Sequence, residues 1–129
     1  MSRTTNNRYR QSNLPANLWP EADRIAWNKA LAPGGPLEDG GAASHLSPVA
    51  QDDLERRYGY FLSFARDRGL MDHGTVAGAT ITPTLVADYI DWLARHAGSV
   101  TVAQSIYKIA RVAKLISPDR DWIWLDTIA

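Results

Sequence analysis

The chain has 129 residues, 45% of them hydrophobic and 22% charged, the make-up of one globular domain of ordinary size. It has no cysteine, so thiol catalysis, disulfide scaffolds and cysteine-ligated zinc are excluded. Fourteen basic and fourteen acidic residues cancel, whereas phosphate contact normally leaves a basic surplus, so any nucleic-acid binding has to come from local charge.

That charge is unevenly spread. Residues 1–30 carry five basic and two acidic side chains, residues 31–98 five and nine, and residues 99–129 four and three. No apolar run approaches the length of a membrane span, and the polar start, with Arg3, Arg8 and Arg10, lacks the apolar centre of a signal peptide. The expectation is a cytoplasmic protein with no membrane contact.

Residues 1–18 show no periodicity and read as a flexible arm. A short helix is predicted from Trp19-Pro20 to Leu31, with Glu21 and Asp23 at its positive dipole end and Lys29 near its negative end. Ala22, Ile25, Ala26 and Lys29 form a weak stripe, flanked by Trp19 and Trp27. Ala32-Pro33-Gly34-Gly35-Pro36 and Gly40-Gly41-Ala42-Ala43-Ser44 then read as a linker, which divides the chain into an extension, residues 1–44, and a domain, residues 45–129.

Ser47-Pro48 is a cap followed by a first-turn proline, and opens a helix. Its apolar face is Ala50, Leu54, Tyr58, Phe61 and Ala65, widened by Leu62, and Gly69 stops it. Thr82-Pro83 repeats the opening signal before Val86, Tyr89, Ile90 and Leu93. A third long helix starts around Ser99 to Thr101, buries Val102, Ile106, Ile109, Ala113 and Ile116, and ends at Ser117-Pro118. Trp122 and Leu125 sit on one further short helix. No segment alternates as a strand does. The predicted fold is all-α, a small bundle of about four helices with an N-terminal helical extension.

Catalytic and metal chemistry find no support in the residues. His45, His73 and His96 fall in a linker, a loop and a helix end, and none has a second histidine or carboxylate at metal-ligand spacing. The glycine pairs precede no Gly-Lys-Ser/Thr. Asp52, Asp53 and Glu55 occupy first helical turns, where acids complement the dipole. Trp92, Trp122 and Trp124 are expected to pack. No cofactor, metal or small-molecule substrate is expected.

The third long helix has no acid between Ser99 and Ser117. With its apolar seam turned inward at about 100° per residue, the opposite face carries Thr101, Gln104, Lys108 and Arg111, with Tyr107 and Lys114 at one margin and Ser105 at the other. Gln pairs with adenine, Arg and Lys with guanine or phosphate, and an α-helix fits the major groove. An ordinary solvated face has the same composition, so the face alone leaves both readings open. The first long helix turns Arg56, Tyr60, Ser63 and Arg66 outward, with Arg57 to the side, but Asp52, Asp53, Glu55 and Asp67 dilute the set and favour an ordinary salt-bridged surface.

Tyr58-Gly59-Tyr60-Phe61-Leu62-Ser63-Phe64-Ala65 followed by Gly69-Leu70 resembles the Y-x-x-F-L-x-F…G opening of the core-binding domain of tyrosine recombinases, the phage-type integrases. Ile81-Thr82-Pro83 with Val86, Tyr89, Ile90 and Leu93 is similar to that family's second helix. Ser99 to Ala113, Pro118 and Trp122-x-Trp124-Leu125 are similar to its third helix and exit. The resemblance covers about Leu46 to Leu125 and implies a SAM-like helical bundle that clamps one side of a recombination site.

The resemblance further implies double-stranded DNA as partner, self-association on that DNA, and contacts from Thr101, Gln104, Ser105, Lys108, Arg111 and Lys114, then from Arg56, Tyr60 and Arg66. The family's catalytic half carries a His-x-x-Arg motif. Here Pro48, Val76 and Ser99 stand third after the histidines, so no tyrosine is assigned as nucleophile and the chain is expected to be non-catalytic, a fragment or truncated relative of a strand-exchange enzyme. The alternative expectation is a helical assembly module with no DNA affinity.

Overall fold

A computed structural model describes residues 11–37 and 39–128. Among these it contains helices and turns and no strand. A 3-10 turn, Ala16–Leu18, precedes α1 (Glu21–Leu31), α2 (Pro48–Asp67), α3 (Pro83–Ala94), α4 (Ser99–Ile116) and α5 (Ile123–Ile128). Residues 1–10 of the expected flexible arm, with Arg3, Arg8 and Arg10, lie outside the described residues. Residues 11–18 are ordered and bring Leu14 into the core.

The punctuation of the sequence sets the long helices. The Ser47 and Thr82 hydroxyls accept from the backbone N–H groups of Ala50 and Leu85, both at 3.2 Å, and a proline opens each helix. α2 ends on paired reversed bonds, Gly69 N–H to the Arg66 carbonyl and Leu70 N–H to that of Ala65, both at 2.9 Å. Gly69 holds φ at +68°, a conformation that costs other L-residues strain.

α4 lies at the centre of the bundle and packs against α1, α2, α3 and α5 alike. Its buried side is Ser105, Ile106, Ile109, Ala110, Val112, Ala113 and Ile116. It meets Leu54, Tyr58, Phe61 and Leu62 of α2, Val86, Tyr89 and Leu93 of α3, and Leu125 of α5 in one core.

The boundary expected at residue 44 is not a boundary of packing. Leu14, Trp19, Trp27, Ala30 and Ala43 belong to the same core as the long helices, and Trp27 is completely buried. Trp19 packs edge-on against Tyr58 of α2 at 5.0 Å between ring centroids, and its indole N–H donates to the Leu14 carbonyl at 2.8 Å. The Trp27 indole N–H donates to Glu55 of α2 at 2.8 Å. α1 therefore buries Asp23, the flanking Trp27 and Ala30, while of the expected stripe Ala22 and Ala26 are half-buried and Ile25 and Lys29 exposed.

Two backbone features hold this N-terminal part in place. Leu14 N–H bonds the Gly59 carbonyl at 3.2 Å, and a Cβ at Gly59 would stand 2.1 Å from Asn13 Oδ1 and 2.7 Å from the Leu14 carbonyl oxygen. Only glycine lets the strand-like residues before the 3-10 turn cross α2 so closely. The second half of the glycine-rich connection doubles back on α1, with Gly41 and Ala43 N–H bonding the carbonyls of Ala32 and Ala30 at 2.9 Å.

A buried polar cluster ties the same elements together. The Asp23 carboxylate accepts from the Tyr58 phenol and, at 2.9 Å, from Gly78 N–H in the α2–α3 connection. Arg120 donates to the Gly78 carbonyl at 2.8 Å and lies over the Trp122 ring. Burial raises the Asp23 pKa above the ordinary carboxylate value, opposed by the Tyr58 and Gly78 hydrogen bonds.

Candidate nucleic-acid interface

Helical geometry and neighbours decide which α4 side chains face water. Because α1, α2, α3 and α5 all pack on it, the solvent arc is narrow. It carries Val100, Ala103, Gln104, Tyr107 and Lys114, with Arg111 half-exposed among them. The centre of this arc is rotated by roughly 70° from the one expected of a seam-opposite face, at about 100° per residue. Tyr107, placed at the margin by the sequence, stands in the middle and is 49% exposed.

The nominated residues fare differently. Gln104 is exposed and Thr101 half-buried. Ser105 is buried, with Oγ accepting from Arg57 Nη1 of α2 at 3.3 Å, so it is an internal helix–helix contact and not a surface group. Lys108 turns toward α2, is 24% exposed and pairs with Asp53 Oδ2 at 2.8 Å. Arg111 makes no ion pair or hydrogen bond among the described residues. Lys114 is exposed and reaches Asp126 of α5 at 2.7 Å.

On α2, Arg56 is exposed and pairs with Asp53 Oδ1 at 2.9 Å. Arg66 is exposed and lies 3.6 Å from Asp67. Tyr60 is half-buried beside a small cavity lined also by Gln11, Phe64 and Trp92. Ser63, expected on the outer face, is buried against the bundle, because α2 buries the continuous run from Phe61 to Ala65. α2 and α4 thus share one basic edge, made by Arg56, Arg57 and Lys108.

Asp53 organises that edge. It receives Arg56 and Lys108 on its two oxygens, and Arg57 Nε lies 3.5 Å from Oδ1. The last distance is an ion pair but not a hydrogen bond, and the buried Arg57 Nε–H is left without an acceptor. The Lys108 hydrogen bond, with help from the arginines, holds the Asp53 pKa below the ordinary carboxylate value against partial burial. The spacing of Asp53, Arg56 and Arg57 at three and four residues made the helix-internal pairs legible; the arrival of Lys108 from α4 had no local signal.

Among the described residues, no three His, Asp or Glu side chains gather as a metal site would require. No helix among them is long and apolar enough to cross a membrane. No protein-family model matches the chain, and no curated protein or solved structure matches it.

Proposed function

We propose that this bundle is a DNA-binding module of the kind that clamps recombination-site duplex in tyrosine recombinases, with no strand-exchange chemistry of its own. One observation carries the reading. The exposed arc of α4 has no acidic residue of its own and presents Gln104, Tyr107, a Lys114 paired with Asp126 of α5, and an Arg111 that no described acid neutralises. Such an arc can offer hydrogen bonds to base edges, while the adjoining Arg56–Lys108 edge supplies phosphate contacts. The reading assigns the protein to the cytoplasm, with duplex DNA as its partner and no cofactor.

Titration of labelled duplexes at low and moderate salt tests it. Micromolar or weaker binding that declines steeply with salt is expected, since one side of a clamp gathers few phosphates. Arg111→Glu should abolish binding, and Asp88→Lys on α3 should not. Absence of binding at low salt, or affinity indifferent to salt, overturns the reading.

A second reading, a helical assembly module, rests on a different observation. Ile90, Ala94, Val102, Ile106 and Ile128 line an open apolar groove between α3, α4 and α5. A concentration-dependent dimer without DNA affinity would select it.

A further inference from the structure

The α2–α4 edge gathers its cations in a geometry that is not peculiar to a carboxylate. Arg56 and Lys108 approach the Asp53 carboxylate from two helices, one cation to each oxygen, at 2.9 and 2.8 Å. A backbone phosphodiester presents the same pattern, one negative charge shared by two terminal oxygens, and arginine donates to either group with similar geometry. The buried Nε–H of Arg57 beside them has no acceptor. The edge borders an open groove whose charged lining is Asp52, Asp53, Arg56 and Lys108.

We propose that this groove is a phosphodiester-binding subsite, and that Asp53 occupies it in the free protein as a resident substitute for the phosphate. The proposal rests on the DNA-binding reading and adds the position of a phosphate contact and its internal competitor. Arg56 and Lys108 line the groove and Arg57 backs it from inside, so removing the Asp53 charge leaves the first two available to an external anion. Asp52 also lines the groove but makes no ion pair among the described residues, so it repels the anion without holding the cations.

The subsite is tested on the full chain with Asp53→Asn, Lys108→Gln, the double variant, and Asp88→Asn as an equal change of net charge on α3. Asp53→Asn should tighten binding to duplex DNA by roughly two- to fivefold, the scale of one released exposed ion pair. Lys108→Gln alone should weaken binding, the double variant should lose the gain, and Asp88→Asn should have less effect than Asp53→Asn. Thermal melting of each variant establishes that it is folded. Wild-type binding with equal responses to Asp53→Asn and Asp88→Asn overturns the subsite and leaves the DNA reading standing.

A second measurement does not depend on duplex binding. Titration with inorganic phosphate, followed by the nitrogen resonances of the Arg56 Nε and Lys108 Nζ groups, should shift both signals. The shifts should be larger in Asp53→Asn than in the wild type and absent at Arg56 in the double variant. If no duplex binds in any variant but these shifts appear, the DNA reading falls and the anion subsite stands. If neither resonance moves in Asp53→Asn, the subsite is overturned whatever the duplex does.

Discussion

The phenol of Tyr58 donates to the carboxylate of Asp23, joining α2 to α1 inside the core, where neither group reaches water. A buried carboxylate is tolerable only while hydrogen bonds replace its lost hydration. Here there are two, from Tyr58 and from Gly78 N–H.

Tyr58→Phe should therefore destabilise the fold by about 1–3 kcal/mol, the cost of a buried acceptor left short of a donor. Burial raises the Asp23 pKa, and protonation removes the charge that most needs the phenol. The penalty of the substitution should accordingly shrink as the solution is acidified. Urea denaturation of both proteins between neutral and acid pH measures this, and a pH-independent penalty would contradict it.

Asp53 works in the opposite sense. Its folded pKa is depressed by Lys108 first, so its contribution is fully present above the unfolded value near 3.8 and is lost as pH falls through the lower folded value. The wild type should lose stability across that acid window through this group. In Asp53→Asn the corresponding component of the pH–stability curve should vanish, which denaturation at closely spaced acid pH values would detect.

Gly59 within α2 and Gly69 just beyond its end should respond unequally to alanine. Gly69→Ala meets no atom within 4 Å, so only its positive φ penalises it, by about 1 kcal/mol. Gly59→Ala forces a methyl group against Asn13 and Leu14, and should cost more while loosening the N-terminal crossing. Melting curves rank the pair, and increased hydrogen exchange at Leu14 N–H should accompany only the second.

Removal of residues 1–44 should unfold the protein or leave it without fixed side-chain packing. The cut deletes Trp19 and Trp27 from the core, and losing even one buried tryptophan commonly costs about 3–5 kcal/mol. Near-ultraviolet circular dichroism of a chain beginning at His45 measures it; a native-like spectrum would show that the long helices suffice.

The long helices were legible because strong local signals agree with the tertiary need. Ser47-Pro48, Thr82-Pro83 and Gly69 do in the fold what their chemistry implies, and the apolar seams of α2 and α4 face the core. The N-terminal part was misread because glycine and proline mark irregular backbone, not absence of packing. Ala43 lies in such a stretch and is completely buried. The register of α4's wet arc depends on four neighbours, information that periodicity within one helix does not contain. Ser105 shows the effect plainly, since a small polar residue suits a surface and a tight helix crossing alike.

The central position of α4 gives the molecule a single mechanical hub. All four of the other α-helices rest on it, so a load applied to its wet arc is passed directly to each of them. Its interior amides should be among the last to exchange with solvent, opening only when the entire molecule does. Whatever clasps Gln104, Tyr107 and Arg111 would grip a rigid rod rather than a pliable loop.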